Sequence, residues 1–160
     1  MKKLIAILVL FFVIIFFPFQ SKFTISNGNN DEIVYIGNIE DYRTFHISFI
    51  HSVNRTPVLE FYRIVDDNLV LYKAEFYSYG AGMSDGSDLP NSKLSHGEHG
   101  LVILDFNDEF EELTYYVGTI ANHTLHFGDK ELMLTDILEP QSPAVFAIKK
   151  VSIYSILRGA

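Results

Sequence analysis

The stretch from His51 to Gly82 decides the fold prediction, and it reads HSVNRTPVLEFYRIVDDNLVLYKAEFYSYGAG. After Pro57, an apolar run interrupted by Glu60 leads to the turn-forming residues Asp66-Asp67-Asn68, and a second run ends at Gly80-Ala81-Gly82. Two runs rich in β-branched and aromatic residues around a short Asp/Asn turn are typical of a β-hairpin. We therefore expect a hairpin with polar side chains at its open end.

The segment before the hairpin alternates between apolar and polar residues. The inner row of this expected strand contains Phe45, Ile47, Phe49 and His51. Alternation with a period of two predicts a half-buried strand, because successive side chains of a strand point to opposite faces of its sheet. We expect His51 to end the buried row.

The same alternation predicts the core face of the hairpin, because side chains that face each other on paired strands must lie on the same side of the sheet. On its first strand, the expected core residues are Leu59, Phe61, Arg63 and Val65. They match Val70, Tyr72, Ala74 and Phe76 on its second strand. If Val65 pairs with Val70, Glu60 lies opposite Glu75, and like charges in that position are destabilising unless a cation such as Lys73 lies between them.

Length and composition favour a single all-β domain. The chain has 160 residues, 48% of them hydrophobic, and includes 14 Phe and 9 Tyr. That is enough apolar material for one core, and aromatic and β-branched residues favour strands. Turn signals between short apolar runs predict one antiparallel β-sandwich or barrel-like domain of about 8–9 strands, preceded by an N-terminal hydrophobic helix.

The N-terminus predicts membrane targeting. Lys2 and Lys3 precede sixteen uncharged residues, Leu4 to Phe19. A basic start followed by an apolar run is typical of a signal peptide or a short membrane anchor, and both alternatives stay open. We expect residues 1–22 to be that segment, residues 23–32 to be a flexible tether, and residues 33–160 to be a β domain on the extracytoplasmic side, because basic residues stay inside.

The charge balance excludes some classes of function. Nine of the 12 Lys and Arg residues and all 20 Asp and Glu residues follow Lys22, so the chain from Phe23 onward has a formal charge of −11. So acidic a domain is not expected to bind nucleic acid, which requires basic surface. Cysteine is absent, which excludes disulfides and thiol nucleophiles.

The open end of the hairpin holds the candidate site for a ligand or partner. Its residues are His51, Ser52, Arg55, Glu60, Gly80 and Gly82. Arg55 offers a bidentate fork for a carboxylate, either that of Glu60 or one on a partner, and the glycines allow close approach to the backbone. The alternative is a purely structural Arg55–Glu60 ion pair.

Other candidate chemistry is weaker. Ser52 and His51 point to opposite faces of a strand and are not expected to form a nucleophile–base pair. The pairs His96/His99 and His123/His126 provide imidazoles of the kind that bind zinc, but side chains three residues apart on a strand face opposite ways. We expect no catalytic residue, no metal site and no cofactor.

The order HSV at residues 51–53, Glu60 and GAG at residues 80–82, behind an apolar N-terminus, resembles a family of small bacterial proteins known only as a domain of unknown function. Members are often encoded beside tripartite ATP-independent periplasmic (TRAP) transporters of the TAXI subtype. The resemblance implies an extracytoplasmic accessory or binding protein with transporter subunits as partners. Two alternatives are a small exported enzyme, with His51 as base and Glu60 orienting it, and a structural envelope protein without a ligand.

Overall fold

The protein folds as two antiparallel β-sheets that pack face to face. The computed structural model describes residues 1–77, 93–98 and 101–158. Its helices are α1 (Lys2–Phe16) and α2 (Ile153–Arg158), and its 3-10 turns are Ile39–Tyr42 and Leu134–Asp136. Its strands are β1 (Gln20–Asn27), β2 (Glu32–Gly37), β3 (Thr44–Ile50), β4 (Pro57–Val65), β5 (Asn68–Phe76), β6 (Lys93–His96), β7 (Val102–Phe110), β8 (Glu112–Tyr116), β9 (Thr124–Phe127), β10 (Lys130–Met133) and β11 (Pro143–Val151).

The strand order shows a sandwich rather than a closed barrel. The small sheet has the order β2-β1-β11-β8, and the large sheet has the order β10-β9-β3-β4-β5-β7-β6. Aromatic side chains from both sheets meet in the core, where the Phe23 and Phe45 rings lie 5.3 Å apart. The all-β sandwich prediction is confirmed. The described residues form eleven strands, more than expected, because β1 lies in the segment predicted to be a tether and the edge strand β6 is too short to show periodicity.

The hairpin prediction is confirmed by β4 and β5. The two strands are joined by Asp66 and Asp67, whose φ angles are +48° and +67°. Two successive residues with positive φ are typical of the type I′ turn, whose twist matches that of the flanking strands. This two-residue turn pairs Val65 with Asn68 instead of Val70.

The predicted core face of β4 is wrong. Val58 and Tyr62 are each 2% exposed, whereas Val65 is 41% exposed and Arg63 lies on the outer face. A register shift next to Phe61 then places Glu60 opposite Ala74, so the predicted pairing of Glu60 with Glu75 is wrong. The strand β3 is confirmed, with Phe45 and Ile47 buried and Phe49 partly buried, but His51 lies in the loop after β3, so its predicted place at the end of the buried row is wrong.

The predicted tether, residues 23–32, is wrong. Half of it, residues 23–27, lies in β1, which pairs with β11 on one side and with β2 on the other. Phe23 and Ile25 are fully buried in the core. The Gly- and Asn-rich residues 28–31 suggested flexibility, but they form only the turn between β1 and β2. The folded domain therefore begins directly after the apolar N-terminus.

The two helices lie together at one end of the sandwich. The ring of Phe16 in α1 stacks on Tyr154 of α2 with centroids 5.0 Å apart, and the other apolar side chains of α1 are exposed. Within the described residues, no helix has both the length and the apolar character needed to cross a membrane. The last strand, β11, ends at Val151, and α2 follows almost directly.

The register of β1 defines the two ends of the molecule. Gln20 pairs with Val151 at the end where both helices join the sheet, which we call the helix end. Asn27 pairs with Ala144 at the opposite end, which we call the loop end. The loop at residues 51–56 belongs to the loop end, because the Ile50 amide donates to the Ala121 carbonyl (2.7 Å) in the loop that follows β8.

Candidate functional site

His51 organises the loop between β3 and β4. Its Nδ1 accepts hydrogen bonds from the backbone amides of Val53 and Asn54, each at 3.3 Å. Its backbone accepts from the Arg55 amide and donates to the Thr56 carbonyl, both at 2.9 Å. Arg55 has a φ of +54°, which reverses the chain within this short loop. The imidazole therefore acts as an acceptor that holds the loop in shape.

The structure separates the other predicted site residues. Ser52 and Arg55 are exposed at the loop end, whereas Glu60 points into the sandwich. Among the described residues, no ion pair joins Arg55 to Glu60, so the alternative of a structural ion pair is wrong. Gly80 and Gly82 lie outside the described residues. Arg55 is thus presented to solvent, where a partner's carboxylate can reach it.

Glu60 belongs to a part-buried polar cluster that joins the two sheets. Its carboxylate accepts hydrogen bonds from the hydroxyl groups of Tyr62 (3.2 Å) and Tyr115. The two tyrosine oxygens also lie 2.8 Å apart, so the Tyr62 hydrogen is shared between the carboxylate and the Tyr115 oxygen. Glu60 and Tyr62 lie on β4 of the large sheet, and Tyr115 lies on β8 of the small sheet. We call Glu60, Tyr62 and Tyr115 the Glu60 cluster.

Burial controls the ionisation of the cluster. It raises the pKa of Glu60 above its usual range, an effect that the hydrogen bonds from Tyr115 and Tyr62 partly oppose. Burial and the nearby Glu60 charge also raise the pKa values of Tyr62 and Tyr115, so both phenols stay protonated and can donate. The cluster therefore offers one carboxyl group that can gain or lose a proton and two fixed donors.

The cluster interrupts the hydrophobic core. Along the inner face of β4, Glu60 lies between Val58, which belongs to one apolar cluster, and Tyr62, which belongs to another. The ring of His123 packs against Phe49 and Tyr115, with centroid distances of 5.2 Å and 5.6 Å. Burial lowers the pKa of His123, and its Nδ1 accepts a hydrogen bond from the Gly118 amide (3.3 Å). A neutral imidazole thus flanks the carboxyl group and the phenols.

The histidines considered as zinc ligands do not come together. His123 faces the core, whereas His126 faces the opposite side of the sheet and stacks on His46, as the spacing on a strand requires. His96 is exposed on β6, and His99 lies outside the described residues. In the part of the chain that the structure describes, no group of three or more His, Asp or Glu side chains is arranged to hold a metal ion.

Sequence reasoning did not identify Tyr62, Tyr115 and His123 as neighbours of Glu60. Tyr115 and His123 are more than fifty residues away along the chain, so their proximity depends on how the sheets pack. One local signal was available. Val58, Glu60 and Tyr62 alternate with a period of two, and a single carboxylate on a face otherwise occupied by apolar and aromatic residues indicates a buried polar group that requires donors.

Comparison with known proteins identifies a family. No curated protein and no solved structure matches the chain. The family model described as Domain of unknown function (DUF1850) matches residues 45–134, more than half of the sequence. The matched region includes the His51 loop and all three residues of the Glu60 cluster. The chain therefore belongs to this family, the domain of unknown function DUF1850.

Proposed function

We propose that the protein is an extracytoplasmic accessory or binding protein of a solute transport system. Residues 1–22 direct it to the membrane, either as an anchor or as a signal that is removed. The basic and apolar N-terminal sequence supports this location, and the resemblance to proteins encoded beside TRAP transporters of the TAXI subtype supports the association. Transporter subunits are the proposed partners.

One observation carries the proposal: the candidate site and the membrane-directing segment lie at opposite ends of the fold. α1 leads into the start of β1 at the helix end, and the eight residues of β1 end at the loop end. At about 3.3 Å per residue, the loop end is about 25 Å from the point where α1 joins the sheet. With the N-terminus at the membrane, the His51 loop faces the aqueous space.

The groups at the loop end favour binding over acid–base catalysis. His51 Nδ1 is engaged by two backbone amides, and the donors to Glu60 are tyrosines. A general base must have a free lone pair within reach of the proton that it abstracts. Arg55 at the surface and the Glu60 cluster beneath provide a cation, hydrogen-bond donors and a carboxyl group, which suit recognition of a small polar solute or an acidic partner surface.

Cysteine labelling tests the location. The natural chain has no cysteine, so a single cysteine introduced at Val53, which is 64% exposed in the His51 loop, gives an unambiguous signal. We expect Val53→Cys to react with a membrane-impermeant maleimide in intact cells, while the cysteine-free chain stays unlabelled. Labelling only after lysis would contradict an extracytoplasmic domain.

Crosslinking and co-purification test the partner. A photo-crosslinking amino acid at Val53 or Ile120, both exposed at the loop end, is compared with one at Leu157, which is 79% exposed in α2. We expect transporter subunits to co-purify with the detergent-solubilised protein. We also expect them to be crosslinked from Val53 or Ile120 at the loop end. Recovery of no transporter subunit under mild conditions would refute the association.

A further inference from the structure

His46 and His126 form a pair on the outer face of the large sheet. They lie directly opposite each other on the neighbouring strands β3 and β9. Their rings stack with centroids 4.3 Å apart and planes that differ by only 4°. Two imidazole rings are therefore in contact at one cross-strand position. The backbone register fixes this arrangement.

Oxygen atoms lie on both sides of the His126 ring. Ser48 Oγ is hydrogen-bonded to Nε2 at 2.8 Å, and a Glu131 carboxylate oxygen lies 3.8 Å from Nδ1. The nearby cation Lys73 is paired with Glu75 at 2.7 Å. The surroundings of the two imidazoles therefore do not repel a positively charged ligand, and Glu131 attracts one.

The pair opens onto a shallow depression. It has a volume of about 170 Å³ and is bordered by Phe61 and Tyr72 on one side and by Phe127 and Gly128 on the other. A water molecule occupies roughly 30 Å³ in the liquid. The depression therefore has room for one metal ion and several coordinating waters above the ring edges.

We propose that His46 and His126 bind a divalent transition-metal ion, Cu²⁺ in preference to Zn²⁺, through one nitrogen of each ring. With metal–nitrogen bonds of about 2.0–2.1 Å, two nitrogens on a tetrahedral ion lie about 3.3 Å apart. Because each nitrogen lone pair lies in the plane of its ring, metal binding requires the two side chains to rotate out of the parallel stack until both lone pairs point at the ion. Imidazole suits copper and zinc, and the affinity order of divalent metals peaks at Cu²⁺.

Two further features fit this site. Both rings are only partly buried, so a hydrated ion can reach them from solvent. With two imidazoles from the protein, water fills the remaining coordination positions, and Glu131 is near enough to replace one water. The site is independent of the Glu60 cluster, which lies on the inner side of the sheet.

Titration of the detergent-solubilised full chain with Cu²⁺ tests the proposal. We expect one Cu²⁺ per chain at pH 7.5, an electron paramagnetic resonance spectrum with two coordinating nitrogens, and weaker binding of Zn²⁺. His46→Ala and His126→Ala should each weaken binding about tenfold or more, and binding should weaken as the pH is lowered, because protons compete with the metal for the ligand nitrogens. His96→Ala is the matched control, because His96 is exposed on β6, and it should bind like the natural chain.

The variants His46→Gln and His126→Gln keep a polar side chain at each position and separate metal binding from folding. Each variant is accepted only if its circular dichroism spectrum matches that of the natural chain. Absence of Cu²⁺ binding by the natural chain would overturn the proposal. Unchanged affinity in either folded single variant would also overturn it, because one imidazole would then be dispensable.

Discussion

Removing the Tyr115 hydroxyl should destabilise the protein without changing the shape of its core. This hydroxyl donates to Glu60 and also bonds to the Tyr62 hydroxyl at 2.8 Å. A neutral hydrogen bond contributes about 0.5–1.5 kcal/mol, and one to a charged group about 1.5–3 kcal/mol. Tyr115→Phe should therefore lower the free energy of unfolding by about 1–3 kcal/mol when Glu60 is protonated and by about 2–4.5 kcal/mol when it is ionised.

Urea denaturation followed by far-ultraviolet circular dichroism measures this loss. Tyr116→Phe is the matched control, because Tyr116 is the next residue of β8 but is 70% exposed, and its change should stay within about 0.5 kcal/mol. A Tyr115→Phe protein as stable as the Tyr116→Phe protein would refute the view that the hydroxyl holds the buried carboxyl group.

The pH dependence of Glu60→Gln tests the same cluster independently. Because burial raises the folded-state pKa of Glu60 above the ordinary value of 4.5, this group favours folding most below pH 4.5. That contribution is lost as the pH rises through the folded-state pKa. Glutamine keeps an acceptor for the tyrosines but cannot ionise. The stability of Glu60→Gln relative to the natural chain should therefore increase with pH, and a constant difference would contradict the raised pKa.

Three further predictions concern the rest of the fold. Burial lowers the pKa values of His46 and His123 below 6.5, so stability should fall as the pH drops from about 6.5, and replacing both by Gln should flatten that decline in urea titrations. Asp67 has a φ of +67°, so Asp67→Gly should raise the free energy of unfolding by up to about 1 kcal/mol, whereas Asp67→Val should lower it. Phe23→Ala should cost about 3–5 kcal/mol because Phe23 is fully buried. Phe19→Ala, at a 49% exposed side chain, should cost far less, and equal losses would contradict the packing of β1.

The sequence predicted the features that depend on local pattern. Alternation along residues 44–51 identified β3 and its buried row, and Asp66-Asp67 marked the hairpin turn. The pattern did not decide which face of β4 is buried. Glu60 lies on the inner face, and the register shift beside Phe61 aligns that face with Ala74 and Phe76 of β5. A one-residue change of register reverses the faces that two paired strands share, so a single irregularity that the sequence pattern does not mark has large consequences.

The candidate site was predicted less well, because its members come from different sheets. His51, Ser52 and Arg55 are close in sequence and do share one loop, but the residues that contact Glu60 across the sandwich follow from the pairing of β8 with β11. For residues 23–32, by contrast, the local sequence pattern was sufficient but was misinterpreted. Their Gly and Asn residues were read as a tether, although Phe23 and Ile25 have the spacing of a buried strand.

The position of Glu60 is costly for the fold, and that cost argues for a role beyond stability. A buried polar group is unfavourable unless its hydrogen bonds are satisfied, and well-packed apolar residues often stabilise a protein at least as well as buried polar networks. The apolar clusters on either side of Glu60 would merge if that position were aliphatic. The chain instead places a carboxyl group and two phenols between them, beneath the loop that His51 shapes. Strained or costly local choices concentrate at functional sites, so the Glu60 cluster is where a ligand or proton should first be sought.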